Sequence, residues 1–222
     1  DQSGVTTKIS TPGQFATLIN RNLAGTYTLT KDIDMSGYDG FKGIAVSGTP
    51  FSGTLDGQGH KVSGLTVTYT DGNSNEGIFG QTAGATIKHI AFENILVDAG
   101  YAANHVGFIG SASSTTFDQV AITGKVIGND HVALLAGDAD GITVTNTTLW
   151  GTVDGRSQCG GFAGCTLEGG ASFDKCLSNV DVSCSYRGWA GGCVGLIAKA
   201  NSVVTTNHWV ALGDMSSAGD GT

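Results

Sequence analysis

Two close acidic pairs, Asp32/Asp34 (D-I-D) and Asp138/Asp140 (D-A-D-G), are the residues whose type and spacing first suggest chemistry. In a strand, residues two apart face the same side, so either pair could bind Ca²⁺ or act as an acid/base couple. Against both, Asp beside Gly is common turn chemistry, its carboxylate bonding its own backbone. Nor does a cluster of Lys or Arg stand nearby to hold an acidic sugar, since Arg156 and Arg187 are isolated. The four Asp are weak candidates, and the expectation is no catalytic residue, no resident metal and no cofactor. Trp150, Trp189 and Trp209 could make a sugar platform if exposed, but large aromatics in a β-rich chain are more often packed, so the core is favoured. Asn146-Thr147-Thr148 is a glycosylation sequon, meaningful only in a eukaryotic source. No G-x-S-x-G elbow, P-loop or Rossmann fingerprint occurs, which removes the nucleotide and hydrolase readings.

The bulk composition narrows the partners. Of 222 residues, 36 are Gly and only 2 are Pro, without a three-residue period, so collagen is excluded. With 40% hydrophobic and 14% charged residues the chain should fold, and its length suits one sizeable domain. A net charge of −8 with 11 Lys and Arg argues against a nucleic-acid surface. No apolar run approaches the roughly 20 residues of a membrane span. The N-terminal DQSGVTTKIS has neither a basic nor an apolar leader region, which fits a processed end and a fragment equally. All five cysteines fall between Cys159 and Cys193, without the C-x-x-C pairing of a structural zinc site. An odd number leaves at least one thiol free or paired with another chain. The acidic, Gly/Thr/Ser-rich composition suits an extracellular protein, where disulfides persist.

A repeat explains most of the chain. Blocks of one character begin at Gly77 (GIFG), Gly107 (GFIG), Ala133 (ALLA), Gly161 (GFAG) and Gly195 (GLIA), at separations of 30, 26, 28 and 34 residues. Each is followed by a second strand-like segment (86–92, 116–122, 143–149, 172–178 and a weaker 204–210) and then by a third. Three short β segments per period, separated by Gly, Asn, Asp and Ser corners, match the rung of a parallel β-helix, in which stacking buries faces no rung could bury alone. Ile78, Phe108, Leu134, Phe162 and Leu196 should then share one column, and Phe79, Ile109, Leu135, Ala163 and Ile197 another. A β-sandwich is the rival, but it does not predict five copies of one block.

Two positions before each block stand Asn75, His105, His131, Cys159 and Cys193. Two His and two Cys in line could bind a metal, although a linear ladder is not tetrahedral. The plainer reading is a polar corner ladder with Cys159 and Cys193 bonded across adjacent rungs, whose spacing a disulfide tolerates. Cys176 replaces Ile90 and Val120 in the second strand and should be a buried free thiol. Thr-x-Thr at 66–70 and 143–145 hints at an ice-binding face, which needs Thr in one flat column on every rung; these fall at different rung positions. At the N-terminus, Thr11-Pro12-Gly13-Gln14 is a capping box that should open a short amphipathic helix through residue 21, laid as a lid over the first rung.

The segment FSGTLDGQGHKVSGL (51–65), with TYTLTKDIDMSG (26–37) upstream and the later blocks, resembles the GLUG-motif repeats of bacterial secreted and surface proteins. Those include adhesin-like proteins and non-catalytic regions of immunoglobulin A1-specific metallopeptidases. The resemblance covers about residues 11–200 and implies a right-handed parallel β-helix displayed outside the cell. It carries no zinc peptidase activity, because none of the five His stands in H-E-x-x-H.

The expected architecture is all-β: a right-handed parallel β-helix with three short strands per rung and a capping helix. One domain spans 1–222, with the cap and first rungs in 1–76, regular repeats in 77–210, and a tail or further rung in 211–222. The expected function is a non-enzymatic, extracellular structural or adhesive module, contacting another copy, a cell-surface partner or a glycan. The alternative is a β-helix that binds or cleaves a polysaccharide.

Overall fold

The computed structural model describes residues 4–186 and 188–218, so Arg187 and the last part of the expected tail, 219–222, lie outside the described residues. The fold follows from one rule applied repeatedly: alternating side chains send every second apolar residue inward, and the next turn of chain covers what the last one leaves open. Every strand pairing among the described residues is parallel. One path of eight stacked strands begins at Thr6–Ile9 and ends at Val204–Asn207, giving a parallel β-helix of about seven turns.

In the central rungs the expected second and third segments merge. Thr86–Asp98 and Thr116–Ile127 are single strands, the latter bent at Gln119 (φ 54°) and at Gly124 (φ 151°). A single apolar core runs from Ile9 to Cys184. Its spine is a chain of rings, Tyr27–Phe51–Phe79–Phe108–Phe92, with centroids 6.5, 5.4, 5.6 and 4.4 Å apart.

The first turn is covered by the helix Pro12–Arg21, whose cap Thr11 accepts a hydrogen bond from the Gln14 amide at 3.2 Å. Gln14 Oε1 in return accepts from the Ser10 amide at 2.8 Å. The helix buries Phe15 and Ile19 and is latched by Tyr27, whose hydroxyl donates to the Asn22 carbonyl at 2.6 Å.

The blocks stack as parallel strands, but two expected columns need correction. Phe79 pairs with Ile109, Ile109 with Ala136, Ala136 with Ala163, and Ala163 with Val194. Leu135 therefore leaves the column, while Leu196 and Ile197 stack on Cys165 and Thr166. The cause is one additional residue in the block from the third rung onward: Val106 pairs with Val132, yet Ile109 meets Ala136. Gly160-Gly161 offered two frames, and pairing selects the earlier Gly, with Ala133 on Gly160. Gly160 in turn pairs with Gly191, four residues before the expected fifth block at Gly195.

Candidate functional site

The same register redraws the corner ladder. Its members are Asn75, His105, His131 and Gln158, all in the left-handed region with φ of 67°, 54°, 52° and 55°. Polar side chains of this kind tolerate that conformation, and it turns each of them out at the same corner. The Gly behind them permits the close approach. A Cβ on Gly110 would lie 2.2 Å from Asn75 backbone, on Gly137 2.4 Å from His105, and on Gly164 2.4 Å from His131. The block glycines are thus the seats of the ladder.

His105 and His131 stack with ring centroids 4.9 Å apart and an interplanar angle of 24°. Both face Asp138: His131 Nδ1 is 2.5 Å from Oδ1, and His105 Nδ1 is 3.6 Å from Oδ2. The Asp138 side chain is 8% exposed, His131 18% and His105 29%. Burial opposes charge on His131, but the bond to Asp138 and the charges of Asp138 and Asp130 lift its pKa above the ordinary value. Burial, with the neighbouring His131, lowers that of His105. Sequence reasoning found the His pair but not its partner, because Asp138 was paired with Asp140 and not with the corner seven residues earlier.

The remaining Asp candidates serve local structure. Asp32 accepts from the Lys61 amide and meets His60 Nδ1, both at 3.1 Å, which holds its pKa below the usual range. Asp34 accepts from the Ser36 amide at 2.9 Å with the same effect, and Asp140 from the Gly169 amide at 2.6 Å. Neither D-x-D pair converges on a common point. Arg156 lies over the Tyr186 ring, 5.2 Å from its centroid.

The expected Cys159–Cys193 pairing is corrected. Cys159 stacks on Val132 and points inward, leaving the corner to Gln158, while the Cys193 carbonyl accepts from the Phe162 amide. Cys159 Sγ instead lies 2.7 Å from Cys184 Sγ, with both thiols buried and unbonded. Donation to Cys184 and burial raise the Cys159 pKa well above that of a free thiol. Cys176 is a buried free thiol against the Val144 and Asp174 carbonyls.

A second polar corner faces another side. His89, Gln119, Asn146, Lys175 and His208 share one column, each with φ between 49° and 54°. Before it run two outward columns. One is Thr6, Thr26, Thr54, Thr86, Thr116, Thr143, Ser172 and Thr205, an unbroken hydroxyl line of about 34 Å at the inter-strand spacing. The two Thr-x-Thr pairs do fall at different rung positions, as expected: Thr143 belongs to the line, whereas Thr66 pairs with Leu96 and does not. The other threonines of the line stand outside those pairs. The parallel column carries Lys8, Asp56, Lys88, Asp118 and Asp174, so the face is not the uniform hydroxyl plane that ice contact requires.

Beyond the corner, Ala91, Ala121 and Thr148 floor a groove of about 430 Å³ whose rim is His89, Gln119 and Asn146. The sequon residue Asn146 is exposed there, its amide donating to Asp118 at 2.9 Å. Trp150 follows Thr148 on the outward side and is 64% exposed; Trp189 is 55% exposed. The packed reading is thus corrected for both, since each projects from a rung outside its core, and only Trp209 packs inward, edge-on to Phe162 at 6.3 Å.

One buried acid escaped the sequence reading. Glu76 occupies the inward column of Val106, Val132 and Cys159, and burial with the nearby Asp71 raises its pKa to about 7. A charged residue one position before a Gly-x-x-Gly block was its only signal.

No protein-family model matches the chain. It is 35% identical over 127 residues to halomucin of Haloquadratum walsbyi, a match covering 51% of this chain and 1% of that protein. It is 26% identical over 222 residues to the zinc metalloprotease ZmpC of Streptococcus pneumoniae, covering 97% of this chain and 11% of that one. The chain thus spans a small part of either relative. In fold it is similar to the crystal structure of a candidate immunoglobulin A1 protease from Bacteroides ovatus, with a TM-score of 0.78 at 20% identity over 96% of this chain and 68% of that one. That neighbour has a solenoid of the same kind. Among the described residues, no helix is long and apolar enough to cross a membrane.

Proposed function

We propose that this chain is an extracellular, non-enzymatic contact module of the GLUG-repeat kind, presenting one lateral face of its β-helix to an extended glycan or a glycan-coated surface. The observation that carries this reading is the continuity of that face. A hydroxyl line, a charged line, the His89–Gln119–Asn146 corner, an open groove and the exposed Trp150 lie side by side along the stack. Hydroxyls and amides repeating at rung spacing suit a repeating polar ligand, and an exposed indole suits the apolar face of a sugar ring. The match to halomucin agrees with a surface role. The protease names of the other two relatives do not bring peptidase chemistry with them, because this chain has no H-E-x-x-H.

Extracellular placement is supported by the acidic, Lys-poor composition and by the juxtaposed Cys159 and Cys184, which an oxidising compartment would bond. The second reading, cleavage of a polysaccharide, rests on the groove alone. Incubating the purified chain with acidic and neutral polysaccharides separates the two. Binding without release of new chain ends is expected; turnover abolished by Asp138→Ala or Asp34→Ala would establish the enzyme instead.

A further inference from the structure

The five histidines are of two kinds, distinguished by the carboxylate each one meets. His60, His89 and His208 each face an aspartate of their own, Asp32 at 3.1 Å, Asp56 at 3.1 Å and Asp174 at 3.3 Å. His105 and His131 converge on one, and the three ligand atoms offered by His105, His131 and Asp138 all lie within 4.8 Å of one another. We propose that these three side chains form a binding site for a divalent first-row transition-metal ion, with Zn²⁺ as the reference ion. The site is independent of the glycan-facing surface.

Four observations carry it. First, a single carboxylate satisfies only one of the two imidazoles: His131 Nδ1 is at 2.5 Å, whereas His105 Nδ1, at 3.6 Å, is beyond hydrogen-bond range of Asp138. A cation between them would engage both rings at once. Second, two imidazole nitrogens and one carboxylate oxygen form a donor set that suits Zn²⁺, Cu²⁺ or Ni²⁺, and not the all-oxygen preference of Ca²⁺ or Mg²⁺. Ligand atoms around tetrahedral Zn²⁺ stand about 3.3 Å apart, so the 2.5 Å contact would open, and the two rings, stacked 24° from parallel, would turn until both nitrogens face one point.

Third, the surroundings supply what supports a metal ligand. Asp130 Oδ2 lies 3.9 Å from His131 Nε2, the ring nitrogen turned away from Asp138. This is too long for a hydrogen bond, but it places a carboxylate on the side from which closer approach would orient a ligating imidazole. Asp130 and Asp138 together also balance a double positive charge. Gln158 Oε1, next on the ladder, is buried beside His131 with no well-formed hydrogen bond of its own, close enough to favour charge on that ring. Asn75 Oδ1 holds His105 Nδ1 at 3.1 Å and would be displaced by the ion. Fourth, the positions are built: the corner is left-handed at both His, and Gly137, immediately before Asp138, has no room for a Cβ against the His105 backbone. With His105 29% exposed, an ion has a path from solvent.

The test is calorimetric titration of the untagged, chelator-stripped full chain with ZnCl₂, alongside thermal melts. One bound ion per chain and a rise in Tm are expected. His131→Gln should weaken binding by at least about 10–100-fold, and so should His105→Gln. Gln is chosen because Gln158 already occupies the same ladder in the same backbone conformation, so both variants should melt like the parent without metal. His89→Gln, which removes a histidine with its own aspartate, should bind Zn²⁺ as the parent does. Cobalt substitution should give the visible absorption of a low-coordinate site, lost in His131→Gln. Absence of Zn²⁺ binding by the parent chain would overturn the proposal. So would binding that survives both ladder variants, or Ca²⁺ bound in preference to Zn²⁺.

Discussion

The central rungs and the last rungs are built from the same pairing yet bury their side chains very differently. Ile78, Phe108, Leu134 and Phe162 are fully buried, whereas Ile197, Val210, Leu212 and Met215 are between 49% and 64% exposed. Strands from 190 onward still pair in parallel with the turn before them. What they lack among the described residues is a turn on the far side. Hydrogen bonding in this solenoid is therefore a property of one interface, while burial needs two, and stability is expected to be uneven along the stack.

The largest effect that sharpens this contrast is a cavity in the ring spine. Phe108→Ala removes a ring that touches both Phe79 and Phe92, and should cost about 3–5 kcal/mol in denaturant unfolding. A cost near that of a surface substitution would mean the central rungs are not the better packed. Next comes the sulfur pair at the boundary between the regions. Oxidation linking Cys159 to Cys184, 25 residues apart, should stabilise the chain by about 3.5 kcal/mol against the reduced form. Non-reducing peptide mapping should find that link and not Cys159–Cys193.

A comparable effect comes from Glu76, which belongs to the central region but charges it. Its folded pKa, about 7, lies above the unfolded value of 4.5, so the folded state binds the proton more tightly. Stability is unaffected by this group below about pH 4.5, falls as pH rises toward 7, and is flat beyond. Glu76→Gln should therefore stabilise the chain at pH 8 by up to about 3 kcal/mol and flatten the pH profile between those limits. An unchanged profile would show that Glu76 ionises freely in the folded chain. The smallest effect lies in the last rungs, where Leu212→Ser should change stability by no more than about 0.5 kcal/mol.

Architecture was legible because it is written in spacing: the blocks, the Gly-bounded corners and the capping box at Thr11 each have a local signature. Register was less so. Gly160-Gly161 gave two equal frames, and a frame one residue late moved Cys159 from an inward column to the corner. That slip hid Gln158, and together with a fifth block set at Gly195, four residues beyond the Gly191 that pairs with Gly160, it produced the wrong disulfide. His105 and His131, ahead of the slip, were placed correctly, but Asp138 joins them only through the fold of the rung. The Thr line was missed because most of its members stand alone in sequence and align only when rungs of unequal length are stacked. The exposure of Trp150 has no sequence signal, since alternation along a strand does not say which face is outward until the core is known.

The central claim is that this face binds and does not cut, and Trp150 offers the most direct access to it. Being 64% exposed, Trp150 can be changed to Ala with little effect on folding. Co-sedimentation of the chain with insoluble polysaccharides, together with glycan-array binding, should show retention by at least one extended glycan. Trp150→Ala should weaken that retention at least about tenfold, a loss of the size expected for a stacked aromatic anchor, at unchanged Tm and with no new reducing ends from either protein. Equal retention by the parent and Trp150→Ala, or reducing ends that accumulate with the parent chain, would contradict the account.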